Sequence, residues 1–507
     1  MHDAYKILII AWAFVFLWVT PIIFFQRKHH PAALFILFFS ELWERFSFYG
    51  MRALLTLYIV HELLWGDSRA YEIYGAYGAL VYATPILGGY LAEKYLGYRK
   101  AIFWGGILMM LGHFTLAIPH EIAFFTALAL LIMGNGFFKP NVSSFVGEFY
   151  GIKDPRRDEA FTLFYMGINV GAFLAPLTAG AIGEIEGWHY GFGLAGIGMF
   201  IGLLFFAWGH YKGIFKDKGL PPEAVREKPY DMWIYIGSVL LLIPIAFLVN
   251  LGEFTGQMVI AVGIFGVLSL LYIALKSDKI QREKLFVLII LFVFTALFWS
   301  FFEQAGSSIN LFTNRNVDRT LLGFTIPTTA FQSVNPLFII LLAPLFTMLW
   351  DRLSRANIDP PAPYKFALGL LQLGAGFLIL GFSKHFASPE GLVPLLFLIG
   401  AYFLHTTGEL CLSPIGLSLV TKLSPAKLVG FVMGVWFISS AVAHAMGMFI
   451  AKLTAIDVHA GTETVSLIDS LSIYSEVFTQ VGLIAVGSAI LLFILSPILT
   501  KWMHGIR

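Results

Sequence analysis

Long apolar runs separated by short polar breaks dominate the chain. Most runs extend over roughly 20 residues, the length at which a helix crosses the hydrocarbon core of a bilayer. Because the pattern repeats along the whole chain, it predicts an all-α polytopic membrane protein. The predicted spans are 6–25, 32–61, 72–93, 101–118, 122–147, 160–183, 190–211, 232–250, 257–275, 285–312, 322–350, 365–383, 391–421, 428–452 and 470–500.

A polar segment at 213–231 divides the spans into two sets. A weak internal repeat supports the division, because Gly134-x5-Pro140 recurs as Gly408-x5-Pro414. Two similar halves of six helices are typical of secondary transporters, whose substrate site lies near the middle of the membrane. We predict an extra hydrophobic helix over 1–31, a six-helix bundle over 32–212, a linker with two additional helices over 213–283 and a second six-helix bundle over 284–507.

Composition agrees with the pattern and excludes several classes of protein. Of the 507 residues, 58% are hydrophobic and 13% are charged, and the mean hydropathy is +0.79. A soluble protein of this length needs more polar surface. The net charge of +2 argues against a nucleic-acid partner. Cys411 is the one cysteine, so no intramolecular disulfide can form.

The distribution of Lys and Arg predicts the orientation. These residues concentrate in every second loop, and the positive-inside rule then places loop 26–31 in the cytoplasm. We expect a multi-pass protein of the cell (inner) membrane with a cytoplasmic C-terminus. The run at 6–25 has nearly the length of a signal peptide, but its basic cluster follows the run and no small-residue cleavage site is present. An uncleaved helix is the favoured interpretation, and a processed or mis-started segment is the alternative.

The predicted span 32–61 carries a charged, aromatic stripe. Its charged members are Glu41, Glu44, Arg45 and Arg52. Each costs roughly 2.5–3.5 kcal/mol at the centre of a bilayer, so such residues usually face a cavity. With about 100° per residue, they share a helical arc of roughly 140° with Phe48 and Tyr49. Trp43 and Phe46 point to the opposite side.

Polar residues also interrupt other predicted spans. Charges in a low-dielectric cavity must pair, titrate or bind a charged ligand. Static ion pairs are the structural alternative, but apolar packing could replace such pairs without loss. Charges spread over four spans therefore favour a functional site. The interrupting residues are Lys139, Asn169, Glu303, Gln304, Gln332, Asn335 and Glu409.

Three histidines within the predicted spans, His113, His405 and His444, are interpreted as packing residues. No group of His and carboxylate residues has the spacing of a metal site, so neither a metal nor an organic cofactor is expected. The motifs H-E-x-x-H and G-x-S-x-G are absent from the sequence, which makes a membrane-embedded enzyme a minor alternative. A receptor that binds without transport is a second minor alternative.

Several of these positions lie in motifs of a known family. The stretch Glu41-x-x-Glu44-Arg45-Phe46-x-Phe48-Tyr49 resembles the E-x-x-E-R-F-x-Y-Y signature of the proton-dependent oligopeptide transporter (POT/PTR) family. Loop 88–100 resembles the helix 2–3 signature of the major facilitator superfamily. The resemblance covers residues 31–500 and is of the prokaryotic type. Further matching segments are Gly136-Phe-Phe-Lys139-Pro140, Phe164-Tyr165-Met-Gly-Ile-Asn169, Phe302-Glu303-Gln304, Gln332-Ser-Val-Asn335-Pro336 and Gly408-Glu409-Leu.

The resemblance implies a major facilitator fold and proton-coupled symport of di- and tripeptides into the cell by alternating access. It implies that Arg45 and Lys139 hold the peptide carboxylate and that Glu409 holds the amino terminus. The implied partners are peptides, protons and the lipid bilayer, and a monomer is expected. Further binding residues implied by the resemblance are Asn169, Asn335, Tyr49, Tyr82, Tyr165, Gln304 and Trp436. The implied proton-coupling residues are Glu41, Glu44, Glu303 and Arg52, with Arg52 paired to Glu303 near an outer gate.

Two features depart from the family pattern. Phe48 replaces the first Tyr of the signature, which removes a hydroxyl from the wall of the implied pocket. The helix at 6–25 lies outside the pattern altogether. The alternative function is that of a proton-coupled carrier of the same fold for another small solute, such as nitrate, an amino acid or a peptide-like drug.

Overall fold

The computed structural model describes residues 3–151, 153–226, 230–321, 323–425, 428–456 and 466–506. Nearly all of the regular structure is helical. The helices are α1 (Asp3–Gln26), α2 (Ala32–His61), α3 (Asp67–Leu91), α4 (Gly97–Leu116), α5 (Glu121–Gly147), α6 (Arg156–Ala175), α7 (Ala181–Glu186), α8 (Trp188–Tyr211), α9 (Glu223–Arg226), α10 (Asp231–Leu240), α11 (Leu242–Leu251), α12 (Glu253–Lys276), α13 (Lys279–Phe302), α14 (Ser308–Asn316), α15 (Val334–Arg355), α16 (Ala362–Phe382), α17 (Leu395–Leu423), α18 (Val429–Lys452) and α19 (Leu467–Trp502).

Twelve segments of the described chain are long and apolar enough to cross a membrane. Some combine two helices, as in Arg156–Glu186, where a π-helical turn at Pro176–Gly180 joins α6 to α7. Helices α2, α3 and α4 occupy the three remaining predicted spans. The prediction of an all-α polytopic membrane protein is therefore confirmed.

Breaks within three predicted spans are features that the apolar pattern missed. The predicted helix 285–312 is interrupted by a 3₁₀ turn at Glu303–Gly306. The predicted helix 322–350 starts only at Val334, because Gly323 has a φ of +85° and a 3₁₀ turn, Thr328–Ser333, follows Pro327. The predicted helix 232–250 is divided into α10 and α11, where Pro244 supplies no N–H for a helical hydrogen bond.

Short strands occupy part of the loops. Strand β1 (Val317–Asp318) pairs in parallel with β4 (Val393–Pro394). Strands β2 (Thr320–Leu321) and β3 (Phe324–Thr325) form a small antiparallel hairpin. The hairpin fills positions that the apolar pattern had partly assigned to the helix at 322–350.

The chain forms two compact units. Unit 1 comprises Met1–Tyr58, Leu80–Leu251 and Thr320–Pro336, and unit 2 comprises Ile59–Ala79, Gly252–Arg319 and Leu337–Arg507. The start of α3 thus belongs with the C-terminal helices, and the turn before α15 belongs with the N-terminal helices. The predicted boundaries after residues 31, 212 and 283 divide the chain by sequence alone and stay a prediction.

Helices of unit 1 approach closely where glycines remove the side chain. A Cβ on Gly88 of α3 would overlap the carbonyl oxygen of Gly136 in α5, and a Cβ on Gly171 of α6 would overlap the carbonyl oxygen of Leu42 in α2. Small residues at such crossings let helix backbones pack against each other. These crossings bring α3 to α5 and α6 to α2, the helices that carry most of the predicted site.

The extra helix α1 packs against α2 and the α6–α7 segment of unit 1. The Trp12 ring lies 6.1 Å from Trp43, and its indole N–H donates to Thr178 in the π-helical turn at 3.0 Å. The Tyr5 hydroxyl donates to Glu186 at 2.7 Å, and the Gln26 amide donates to Glu159 at 2.8 Å. Helix α1 is therefore held to the α6–α7 segment near both of its ends.

Unit 2 is built on α16, which packs against α17 and α19, and on α13, which packs against α18. A buried ion pair joins the start of α3 to α14. Both carboxylate oxygens of Asp67 accept from the Arg315 guanidinium, at 2.6 and 2.7 Å, and the Ile456 amide also donates to Asp67. This pair fixes Ile59–Ala79 to the helices that follow it much later in the chain.

Candidate functional site: a buried charge cluster and a paired acidic turn

The charged stripe of α2 lies in the interior of unit 1. Glu41 and Glu44 have no exposed surface, and Arg45 is 5% exposed. The Arg45 guanidinium donates through both Nε and Nη2 to the two carboxylate oxygens of Glu44. Such two-point pairing is the geometry in which Arg and a carboxylate interact most strongly. The position of Arg45 is therefore set by its sequence neighbour.

Glu41 is the point at which two cations meet. Lys139 of α5 donates to Glu41 Oε1 at 2.5 Å, and Arg45 Nε lies 3.6 Å from the same oxygen. The Lys139 side chain remains 31% exposed while Glu41 is fully buried. Lys139 therefore lies beside the charged stripe of α2. Two carboxylates and two cations thus form a cluster with no net charge.

Aromatic rings cover the cations of the stripe. The Arg45 guanidinium carbon lies 4.9 Å from the centre of the Phe48 ring and 6.0 Å from that of Tyr49. Arg52 lies 5.6 Å from the Tyr49 ring. A cation over the face of an aromatic ring is stabilised by about 0.5–2 kcal/mol, more when water is excluded. Phe48 therefore contributes to holding Arg45 although it has no hydroxyl.

The other predicted residues of unit 1 are Asn169, Tyr165, Tyr82 and Asn335. The Asn169 amide donates to the carbonyl oxygen of Tyr165, one helical turn earlier, at 3.0 Å. The Tyr165 side chain is 42% exposed, whereas Asn169 is buried. Tyr82 and Asn335 are half-buried. Their predicted roles in binding stay predictions.

In unit 2, Glu303 and Gln304 lie on the 3₁₀ turn that interrupts the predicted helix 285–312. The Gln304 amide donates to the carbonyl oxygens of Ser300 and of Gly447 in α18, at 3.0 and 2.9 Å. Its side-chain oxygen accepts from Ser308 at 2.7 Å. Gln304 therefore ties the turn to α18, a structural role that the sequence did not predict. Its predicted contact with substrate stays a prediction.

Glu303 itself is buried and has a histidine beside it. His444 Nε2 of α18 lies 3.9 Å from Glu303 Oε1. The sequence predicted His444 to be a packing residue and Arg52 to be the partner of Glu303. Arg52 belongs to unit 1 and Glu303 to unit 2, so the pairing of these two stays a prediction.

Glu409 and Trp436 complete the predicted set in unit 2. Glu409 is buried in α17, with 9% of its surface exposed. The Trp436 ring of α18 lies 5.3 Å from the Phe292 ring of α13. Gly416 faces the Trp436 indole, where any Cβ would overlap the ring. These contacts fix the orientation of Trp436 within its own unit.

Two ion-pair groups in unit 2 were not predicted from the sequence. One is the Asp67–Arg315 pair, whose members were assigned to loops outside the membrane. In the other, Lys452 donates to Glu72 of α3 at 2.8 Å and to Glu253 of α12 at 2.5 Å. The sequence gives one indication of these pairs, which is the position of their residues on the helices. Acidic residues at helix starts and a Lys at a helix end interact favourably with the helix dipoles. That signal does not predict which acid meets which base.

The arrangement can bind an anion and can store a proton. A ligand carboxylate could replace Glu41 or Glu44 as the partner of the buried cations when the internal carboxylate is protonated. Within the described residues, no group of three or more His, Cys, Asp or Glu side chains has a metal-binding arrangement.

Comparison with known proteins gives a consistent result. The model of the POT family matches residues 99–465. The chain is 37% identical to the "Uncharacterized transporter YclF" of Bacillus subtilis, over 94% of this chain and 96% of that one. It is 36% identical to "Peptide transporter YePEPT" of Yersinia enterocolitica, over 92% and 94%. It is 32% identical to "Dipeptide and tripeptide permease B" of Salmonella typhimurium, over 94% and 96%.

Solved structures agree. A crystal structure of peptide transporter POT in complex with sulfate has a TM-score of 0.79 and 38% identity, over 94% of this chain and 96% of that one. A POT family transporter in complex with 5-aminolevulinic acid has a TM-score of 0.80 and 30% identity, over 93% and 97%. The expected major facilitator fold is confirmed by these neighbours. The chain belongs to the POT family, and it is a multi-pass membrane protein of that family.

Proposed function

We propose that the chain imports di- and tripeptides by proton-coupled symport. The observation that carries the proposal is the fully buried Glu41, contacted by both Lys139 and Arg45. The names of the relatives from Yersinia and Salmonella, a peptide transporter and a di- and tripeptide permease, support the substrate class. The family and these relatives are transporters, so transport and not catalysis is the activity we assign.

The cations are proposed to receive the peptide carboxylate. Protonation of Glu41 or Glu44 weakens its attraction for Arg45 and Lys139, since a neutral carboxyl no longer compensates a buried cation. A peptide carboxylate then restores the lost charge pairing. Proton and peptide therefore favour each other's binding, which is the condition for symport.

The far end of the peptide is proposed to meet Glu409, with Asn169 and Asn335 as hydrogen-bonding partners. A zwitterionic peptide carries unlike charges at a nearly fixed separation, while its side chains vary. A site that holds the two charges and leaves the middle loose accepts many peptides. The side-chain pockets are proposed to be lined by Tyr49, Tyr82, Tyr165, Gln304 and Trp436.

The remaining roles follow the same logic. Glu303 is proposed as a second proton acceptor and Arg52 as its partner in one conformation. One proton crossing 100 mV supplies about 2.3 kcal/mol, one pH unit adds about 1.4 kcal/mol, and the sum supports roughly 500-fold accumulation. We further propose that the protein acts as a monomer in the cell (inner) membrane, with its C-terminus in the cytoplasm and without a cofactor other than protons.

The test is transport in proteoliposomes with an acidic exterior. Radiolabelled dialanine should accumulate in the lumen, and this accumulation should be lost when a protonophore is added. Unlabelled di- and tripeptides should compete, and tetrapeptides, alanine and nitrate should not. Competition by nitrate or alanine alone would replace the peptide assignment by that of another small-solute carrier. Binding of dialanine without accumulation would contradict transport.

Glu41→Gln mimics the protonated carboxyl and should uncouple the proton from the peptide. We expect proton-driven accumulation to fall at least about tenfold, because a lost coupling free energy of about 1.4 kcal/mol corresponds to a factor of ten. Peptide exchange at equal pH should persist. The matched control is Glu121→Gln, at an exposed position at the start of α5. Normal accumulation by Glu41→Gln would exclude Glu41 from coupling.

A further inference from the structure

His444 is buried beside the carboxylate of Glu303. It is 7% exposed, and its Nε2 lies 3.9 Å from Glu303 Oε1. Both groups belong to unit 2. Burial of a carboxylate is costly, and a nearby group that can take a positive charge reduces that cost. Imidazole is the side chain whose unperturbed charge changes near neutral pH.

The contact is held from both sides. Gln304 follows Glu303 in the turn, and Gly447 lies about one helical turn after His444 in α18. The Gln304 amide donates to the carbonyl oxygen of Gly447. This bond fixes the acidic turn against the helix that carries the imidazole. On the other side, α3 approaches so closely that a Cβ on Gly78 would overlap Nδ1 of His444. The imidazole therefore has little room to turn away from Glu303.

Other titratable groups lie on the helices packed around His444. Tyr74 and Tyr77 are on α3, and both rings are buried. Lys452 is eight residues further along α18, a separation of roughly 12 Å along the helix axis. Lys452 is itself paired with Glu72 and Glu253. The charge of Lys452 is thus compensated by two carboxylates. Among the described residues, Glu303 is an acid at ion-pair distance from the imidazole.

We propose that His444 shares the coupling proton with Glu303. This inference rests on the proposed function, in which Glu303 is a proton acceptor. In the proposed transfer, a proton on the Glu303 carboxyl passes to Nε2 of the neutral imidazole. The O–H bond breaks and an N–H bond forms, which gives a carboxylate and an imidazolium. The two atoms must approach by about 1 Å to reach hydrogen-bonding distance.

A packing role and a proton-sharing role make different predictions. A neutral side chain of similar size can replace a packing imidazole with little change in the pH dependence of transport. It cannot replace a proton carrier, because glutamine does not titrate. A proton that two groups can hold is bound more firmly than one that a single group holds, so loss of the imidazole should lower the pH at which uptake is half-maximal.

The test is the pH profile of dialanine uptake by His444→Gln in proteoliposomes. We expect the pH of half-maximal uptake to fall by about one unit, the size of a directly coupled titration, with peptide exchange at equal pH within about twofold of the parent. The matched control is His113→Gln in α4, a buried histidine whose ring nitrogens have no hydrogen-bond partner among the described residues, which should leave the profile unchanged. An unchanged profile for His444→Gln overturns the proposal.

A double-mutant cycle separates this proposal from the proposed function. In a Glu303→Gln background, His444→Gln should produce no further shift of the profile, because the shared proton site is already lost. Additive shifts would indicate that the two residues act independently and would reject the sharing. If Glu303→Gln alone leaves proton-driven accumulation normal, the assignment of Glu303 in the proposed function fails. If Glu303→Gln impairs proton-driven accumulation and His444→Gln leaves the pH profile unchanged, the inference on His444 alone fails.

Discussion

Single residues define how this chain departs from its family. Phe48 stands where the family signature has a tyrosine, yet its ring lies 4.9 Å from the Arg45 guanidinium. The face of either ring attracts a cation, so the change preserves the support of Arg45 and removes one hydroxyl. We infer that Phe48 affects the choice of peptide side chain more than it affects coupling.

Phe48→Tyr should therefore change specificity with little effect on proton coupling. The restored hydroxyl can form one hydrogen bond, worth about 0.5–1.5 kcal/mol, with a polar peptide side chain. We expect peptides such as Ser-Ala to compete about two- to tenfold better while Ala-Ala is unchanged. Half-inhibitory concentrations in a competition assay measure this. An equal change for every peptide would show that Phe48 acts on the common charges instead.

At the scale of the element, helix crossings determine which charges meet. Lys139 reaches Glu41 because α5 is positioned in unit 1 by its close crossing with α3 at Gly88 and Gly136. Helix α1 adds a brace along α2 and the α6–α7 segment, with Trp12 against Trp43. Helix α1, whose role was not predicted from the sequence, therefore has a structural role in unit 1.

Gly88→Ala should disrupt the α3–α5 crossing, since its Cβ would overlap the Gly136 carbonyl oxygen. Overpacking of this kind costs about 1–3 kcal/mol. We expect a lower midpoint of thermal unfolding in detergent and a loss of transport. The adjacent Gly89→Ala is the matched control, because its Cβ would lie in ordinary contact, 3.5 Å from Pro140. Equal destabilisation by both substitutions would contradict the assigned crossing.

At the scale of the molecule, segments distant in sequence are held in one unit by ion pairs. Asp67 and Arg315 are 248 positions apart, and the Asp67 side chain is 1% exposed. The pair fixes the start of α3 among the C-terminal helices. A chain divided only at its polar linker would place α3 wholly with the N-terminal helices.

Arg315→Gln should destabilise the folded protein by leaving the Asp67 carboxylate buried without its cation. Breaking such a pair costs about 3–5 kcal/mol, measured as a fall in thermal unfolding temperature in detergent. Adding Asp67→Asn should recover part of the loss. Arg355→Gln is the control, because its ion pair with Asp351 is exposed and such pairs contribute about 0–1 kcal/mol. A loss no larger than in the control would contradict a structural role for Asp67–Arg315.

Much of the fold and of the candidate site was predictable from the sequence, for a physical reason. Membrane spans are local, because every backbone group must bond within its own helix and the apolar length must match the bilayer. The stripe on α2 is local too, since helical periodicity alone places Glu41, Glu44 and Arg45 on one side. Family motifs added the fold class and the expected roles.

The helix breaks and the inter-helix partners were not predictable in this way. The turn at Glu303–Gly306 depends on hydrogen bonds between Gln304 and α18, and apolar periodicity contains no trace of them. His444 looked like a packing residue because its neighbour Glu303 lies far away in sequence. Its position beside that carboxyl depends on how α18 packs against the acidic turn.

The sequence by itself determined the membrane spans, the intramembrane charges and the family, because hydropathy, helical periodicity and motif spacing are properties of consecutive residues. Only the tertiary structure decided that Lys139 pairs with Glu41, that Asp67 pairs with Arg315 and that His444 faces Glu303. The physical reason is that an ion pair between helices depends on their crossing and register. Those are fixed by contacts between small residues and polar side chains that no local pattern encodes.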